Sequence, residues 1–306
     1  MLRFFRWLSL SKGRSIALMC MLSTSLLSNH ASAVTPYILI DAESGAVLKQ
    51  SDADVPWYPA SLTKMMTLYL VFEALDQKKL TRQSALTVSA KAATQPQKKL
   101  GLEKDTSIAL DKAMYSVATV SANDAAVVLA EAVSGSTSKF VKAMNKMARK
   151  LGMLDTHFTN VTGLPNAKQL TSARDMAILA RAIIKDYPQY YPIFSNRSLT
   201  HEGEVLPTYN AFLNRYQGAE GFKTGYTCGS GYNLVAAAKR DGMRLISVVL
   251  GADSLSSRMA LTTNLMDEGF KITPDAPGLM LVAFRRSVPI SLEPEYVLDR
   301  PGCAQF

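Results

Sequence analysis

Residues 59–66 read PASLTKMM and open an apolar run, MMTLYLVFEAL, that continues to residue 75. Within it Met65, Leu68, Tyr69, Phe72 and Leu75 recur at helical spacing, and Pro59 stands just ahead, so the pattern predicts a helix from Ser61 to about Leu75. Ser61 and Lys64 then share one face, with hydroxyl and amine within hydrogen-bond reach. A serine alone is a poor nucleophile and needs a base. A lysine set among Met65, Met66 and Leu68 has its ammonium form disfavoured by desolvation, which poises a neutral amine to take the serine's proton. Unpaired backbone N–H groups at the helix start point towards an incoming negative oxygen. A capping serine and a surface-reaching lysine produce the same spacing, so this stretch acquires meaning only in company.

Outward from that helix, YILIDAESGAVLKQ (37–50) reads as a hairpin turning at Glu43-Ser44-Gly45. Helical patterns follow at about Asp111–Val120, Asp124–Val133, Thr137–Leu151 and Ser172–Ile184. Short β-branched or apolar runs return at Gly221–Gly225, Tyr232–Ala238 and Leu245–Leu250, and a last helix spans about Ser254 to Phe270. Strands at both chain ends with helices between them imply one sheet assembled from both ends, with helices packed on its faces.

The chain has 306 residues, 48% of them hydrophobic and 19% charged, which suits a globular protein with a sizeable core. Its first stretch differs. Arg3, Arg6, Lys12 and Arg14 precede an apolar segment from Ser15 to Leu27, and Ala31-Ser32-Ala33 supplies a small-x-small cleavage pattern, so residues 1–33 are expected to be a secretory leader and the mature chain to begin near Val34. Met19 stands where a lipoprotein box needs a small residue before Cys20. Removal of the four basic residues lowers the formal charge from +9 to +5. That mild excess suits an anionic envelope polymer, and without a clustered Lys/Arg run nucleic acid is not the expected partner. Cys228 and Cys303 remain; an oxidising compartment permits their pairing, and two free thiols are equally compatible with the sequence. The catalytic domain is expected over 34–272, with 273–306 a short tail, no second domain and no stable membrane anchor, since LMLVAFRRSVPISL is neither long nor patterned enough for one.

Two further triplets accompany the first. Ser121-Ala122-Asn123 lies between two helical patterns, where a loop can present hydroxyl and amide to a pocket, and Lys223-Thr224-Gly225 lies in a strand, where the glycine allows close approach of another backbone. S-x-x-K, S-x-N and K-T-G in that order are the signature of serine β-lactamases and penicillin-binding proteins. Beyond the triplets, WYPASLTKMMT, HFTNVTGLPN, TSARDMAILARAI and GFKTGYTCGSGYNLVAAAKRDGMRLISVVLGAD resemble the D-alanyl-D-alanine carboxypeptidase family of low-molecular-mass penicillin-binding proteins, over about Tyr37 to Phe270.

The resemblance implies a β-lactamase/transpeptidase-like fold of the α+β type within the broad α/β class: a five-stranded antiparallel sheet with helices on both faces and a helical subdomain. It implies a periplasmic serine-type carboxypeptidase that removes the terminal D-alanine from peptidoglycan stem peptides, is acylated by β-lactams and uses no cofactor or metal. Ser61 is implied as nucleophile, Lys64 as its base, Ser121 as proton shuttle, and Asn123 as partner of the substrate amide and of Lys64. Lys223 and Thr224 are implied to hold the terminal carboxylate beside Gly225, the N–H groups of Ser61 and Tyr226 to form the oxyanion hole, and Arg258 to support carboxylate recognition.

A DD-endopeptidase that cuts cross-links uses the same triplets and is the nearest alternative. A β-lactamase needs a deacylating glutamate, and LGMLDTHFTNVTGLPNAKQL (151–170) has none. A catalytically retired module that only binds peptidoglycan is the third reading, against which intact Ser61, Lys64 and Lys223 argue. His157 and His201 have no metal-ligand spacing, so His157 is expected to be structural, and Met144 and Met147 to be core packing.

Overall fold

The computed structural model describes residues 35–272 and 279–280; the expected leader, most of the expected tail and Cys303 lie outside the described residues. The chain opens with the hairpin β1 (Tyr37–Asp41) and β2 (Ala46–Ser51), then a 3-10 turn (Ala60–Leu62) that runs into α1 (Thr63–Asp76). A small β3 (Ala85–Thr87), a one-turn α2 (Ala90–Ala93) and β4 (Ser107–Ala109) lead to four longer helices: α3 (Leu110–Thr119), α4 (Asn123–Ser134), α5 (Thr137–Leu151) and α6 (Ala173–Asp186). After the hairpin β5 (Ser198–His201) and β6 (Glu204–Pro207) and a short α7 (Phe212–Arg215) come β7 (Ala219–Thr227), β8 (Gly231–Arg240) and β9 (Met243–Ala252), then α8 (Leu255–Gly269) and β10 (Leu279–Met280).

The main sheet is antiparallel in the order β10-β2-β1-β9-β8-β7. Five of these are the expected strands; the two-residue β10 adds a sixth along the outer edge of β2. Both chain ends build the sheet because β1 from the start pairs with β9 from the end. Strand pleat then divides the core. Ile38 and Ile40 of β1 join Ile246, Val248 and Leu250 of β9 against the helical body. Leu39 points the other way, into a smaller cluster with Leu234, Leu245, Val249 and Met266 under α8.

Helix α1 departs from the amphipathic expectation. Every residue from Thr63 to Phe72 is buried, Lys64 included, because the helix runs through the centre of the domain with α3, α4, α5 and α6 around it. A helix apolar on nearly all sides belongs in a core, and its spacing in sequence cannot reveal which side faces a site. Met144 is fully buried and Met147 nearly so on α5, as core packing requires. His157 hydrogen-bonds through Nδ1 with Lys168 O at 2.9 Å and pairs its backbone with Leu170, a structural role.

Candidate active site

The turn that carries Ser61 is strained where it begins. Ala60 takes φ +47°, a left-handed value that costs a residue with a Cβ about 1–2 kcal/mol and persists only where surroundings over-determine it. Three contacts supply that constraint. Asn233 on β8 is fully buried and donates through Nδ2 to Tyr58 O at 2.9 Å, while its Oδ1 accepts from Gly251 N at 2.8 Å. At Gly225 on β7, a Cβ would lie 2.8 Å from Pro59 O and 3.2 Å from Ser61 N, so only glycine lets the strand close on the turn. Gly163 is tighter still: a Cβ there would lie 1.8 Å from Ala60 O and 2.9 Å from Ser61 N.

Lys64, one turn along, is fully buried and places Nζ 3.0 Å from Ser61 Oγ and 2.6 Å from Thr162 O. Burial pushes its pKa well down, and the positive charges of Lys223 and Lys98 push the same way, against a smaller opposing pull from Asp124. The amine is therefore held towards the neutral form that accepts a proton. Thr162 O is available because the 159–170 loop is self-laced. Asn160 Oδ1 accepts from Thr162 N and Gly163 N, and Gln169 Oε1 accepts from Thr159 N and Asn160 N. Gln169 Nε2 and Thr67 Oγ1 tie the loop to α1 through Thr63 and Val161.

The S-x-N element caps the opposite wall. Ser121 adopts φ +61°, and its buried Oγ has no hydrogen-bond partner among the described residues. Asn123 lines the same cleft, but the expected bond to Lys64 is absent: its Nδ2 donates to Pro96 O at 3.0 Å, and Thr162 O is the partner Lys64 has besides Ser61. The physical reason is the segment 96–102, which folds over the start of α4. Asp124, fully buried, accepts from Leu100 N, Gly101 N, Leu102 N and Ala125 N, and Asn123 N donates to Lys98 O.

The third wall is β7, which pairs only with β8 among the described strands and leaves its other edge towards Ser61. Lys223 is buried, donates to Thr224 O at 3.1 Å, and has its pKa lowered to about 7 by burial, with Lys98 and Arg258 adding repulsion. Thr224 and Gly225 line the cleft; Tyr226 is half exposed at its rim, its ring 4.4 Å from that of Tyr232. Arg258 on α8 is buried, donates through Nη1 to Asn233 O at 3.2 Å, and leaves Nε without a partner. Burial lowers its pKa to about 10.

Together these residues surround a cleft of about 350 Å³. Ser61, Ser121, Asn123, Thr224, Gly225 and Arg258 all line it, with Lys64 and Lys223 directly behind. Reasoning from sequence missed Lys98, Thr162, Gly163, Tyr209 and Asn233. The Thr-Gly-Leu-Pro turn at 162–165 was the available signal for two of them; Lys98 and Tyr209 sit in segments whose sequence has no motif. Cys228, just beyond β7, is disulfide-bonded.

A serine 3.0 Å from a buried lysine amine, between an S-x-N wall and a K-T-G edge strand, is the arrangement shared by serine β-lactamases and penicillin-binding proteins. The D-alanyl-D-alanine carboxypeptidase family model matches residues 24–254, and the chain belongs to that family. It is 39% identical over 239 residues to the D-alanyl-D-alanine carboxypeptidase DacA of Haemophilus influenzae, covering 76% of this chain and 61% of that protein. It is 38% identical over 260 residues to DacC of Escherichia coli, covering 81% and 65%. The chain thus spans less than two-thirds of the length of these two relatives. Among solved structures, penicillin binding protein 5 from Haemophilus influenzae superposes with a TM-score of 0.75 at 39% identity, over 77% of this chain and 70% of that one. Penicillin-binding protein D2 from Listeria monocytogenes in its ampicillin-bound form superposes at 0.67 with 32% identity, over 77% and 96%.

Proposed function

We propose that this protein is a serine-type D-Ala-D-Ala carboxypeptidase acting on peptidoglycan stem peptides, and that β-lactams acylate it at Ser61. One observation carries the reading: a fully buried Lys64 amine, held towards neutrality, lies 3.0 Å from Ser61 Oγ at the floor of a cleft lined by cations. Ser61 Oγ attacks the carbonyl of the terminal peptide bond while Lys64 Nζ takes its proton, and the oxyanion forms against the N–H groups of Ser61 and Tyr226. The unpartnered Ser121 hydroxyl passes a proton to the departing amine, and D-alanine leaves. Lys223, Thr224 and Arg258 hold the terminal carboxylate; its arrival favours the charged form of Lys223, whose pKa of about 7 leaves it readily protonated. Asn123 orients the substrate amide. Water then hydrolyses the ester on Ser61.

Among the described residues no carboxylate lines the cleft, which supports slow release of a β-lactam adduct over β-lactamase turnover. The leader pattern in residues 1–33 supports work in the periplasm. The test is D-alanine release from a stem pentapeptide, with intact-mass measurement of the penicillin adduct. Wild-type protein is expected to do both and Ser61→Ala neither. An adduct on any other residue, or D-alanine release by Ser61→Ala, overturns the assignment.

A further inference from the structure

The proposed mechanism leaves one cation of the cleft without a task. Lys98 reaches the cleft from the segment folded over α4, and its Nζ lies 3.4 Å from the centroid of the Tyr209 ring, which also lines the cleft. The segment that delivers it is anchored on both sides: Asp124 accepts from three of its backbone N–H groups, Asn123 Nδ2 donates to Pro96 O, and Lys98 O accepts from Asn123 N. Five hydrogen bonds between this segment and one helix start fix where this ammonium sits, and an ordinary surface lysine has no such support.

Charge complementarity says what it is for. Lys98 and Arg258 line the same cleft with Lys223 directly behind it; burial lowers the pKa of Lys98 and of Lys223, with Arg258 adding repulsion on Lys98 and Lys98 on Lys223. None of the three forms an ion pair among the described residues, and no Asp or Glu lines the cleft with them. A leaving D-alanine brings a single negative charge, which Lys223 and Arg258 already meet. Three cations facing one carboxylate leave repulsion unrelieved, whereas a leaving residue with two carboxylates relieves it.

We propose that Lys98 is a specificity-determining residue on the leaving-group side of the cleft, selecting leaving residues that carry a second carboxylate beside the terminal one. This rests on the carboxypeptidase reading above. The ligand chemistry is a D-configured diacid joined through its α-amine to a penultimate D-alanine. Tyr209 supplies a flat face for the methylene stem of such a side chain and holds the ammonium in place when the diacid is absent.

The experiment compares two acylated peptides that end in D-Ala-D-Glu and D-Ala-D-Gln, which are matched in shape and differ by one charge, with D-Ala-D-Ala as reference. Release of the terminal residue is followed by chromatography. Wild-type protein is expected to favour the acid over the amide in kcat/KM by about three- to tenfold at low salt, with the ratio falling as salt is added. Lys98→Met should bring the ratio to about one and Lys98→Arg should keep it. Penicillin adduct formation by each variant verifies an intact site, and Lys98→Gln serves as second neutral variant should Lys98→Met fail to label. A ratio near one in wild-type protein that still releases D-alanine overturns this inference alone. So does a ratio that Lys98→Met leaves unchanged, which is the outcome expected if Lys98 only joins in holding the terminal carboxylate. Failure to release any of the three residues overturns the carboxypeptidase reading and this inference together.

Discussion

Replacing Gly163 by alanine tests the idea that the 159–170 loop, and not α1 alone, sets the base. The added Cβ would lie 1.8 Å from Ala60 O and 2.3 Å from Ala60 C, both backbone atoms in a turn that cannot rotate aside, and Gly163 sits at φ +85°. Real Cβ atoms essentially never approach closer than 3.0 Å, so loop and turn must separate by about 1 Å or more. Thr162 O, at 2.6 Å, moves with the loop, and Lys64 loses the acceptor that orients Nζ towards Ser61. A displacement of about 1 Å at a reacting group commonly costs on the order of 10²-fold in rate. The left-handed alanine adds about 1–2 kcal/mol of destabilisation, or about 2–8 °C in Tm for a domain of this size. The assay is the second-order rate of acylation by a fluorescent penicillin, alongside a thermal melt. A variant that keeps its fold and acylates within threefold of wild type refutes the claim that the loop positions Lys64.

Other expectations follow from single contacts. Lys64→Met should abolish acylation while stability rises, because a buried amine with a lowered pKa and no carboxylate partner is replaced by an isosteric apolar chain; denaturant midpoints and adduct mass check both. Lys223, with a folded pKa of about 7 against an unfolded 10.5, binds fewer protons folded than unfolded between those values, so it makes stability rise with pH across that window by up to about 1.4 kcal/mol per unit. Urea melts at pH 7, 8 and 9 should show a flatter slope for Lys223→Met than for wild type; the window stops below pH 10 because Tyr69, Tyr187 and Tyr216, neutral when folded, reverse the sign there. Arg174, 1% exposed in its side chain, donates to Asp54 at 2.6 and 3.1 Å and to Gln50 at 2.7 Å, and Arg174→Ala should cost about 3–5 kcal/mol by denaturant titration without changing the acylation rate of the remaining folded protein. Asp124→Asn offers one carbonyl oxygen where two oxygens now accept four N–H groups, so hydrogen exchange at residues 100–102 should quicken and the D-Glu over D-Gln preference should fall.

The parts of the fold that were legible in the sequence are those whose periodicity reports a single environment. Helices α3, α5 and α8 show a helical period, β7 to β9 are short apolar or β-branched runs buried on both faces and set off by glycine-bearing turns, and the bounds of these elements, of α4 and α6 and of the hairpin at 37–51 fall within a few residues of expectation. The small β3–β4 and β5–β6 pairs escaped because three- and four-residue strands with mostly exposed patterns have no period to read. The four-residue S-x-x-K motif was legible because helix spacing puts Ser61 and Lys64 on one face, whereas the hold of Thr162 O on the amine comes from a loop about a hundred residues away and had no signal there. Asn123 was misread in part: its distance from Lys64 depends on what the 96–102 segment claims first, and that segment is held by Asp124, whose neighbour in sequence gives no hint of four backbone partners.

What joins the legible and the illegible parts is where the domain departs from stability. Ala60 and Ser121 take left-handed backbone without being glycine, and Ser121 Oγ and Arg258 Nε are buried without a partner. Lys64 and Lys223 are amines inside the protein, with no carboxylate paired to either. Each departure is unfavourable for folding, which alone selects against it. All six lie on or directly behind one cleft, and under the proposed function a peptide with a carboxylate at its end would meet the cations with its anion and the unpartnered Ser121 hydroxyl and Arg258 Nε with its polar groups. That is why the ammonium belongs on the first turn of a helix otherwise mostly apolar. Only where the helix begins can one side chain touch both the dry core that strips its proton and the hydroxyl that needs a base.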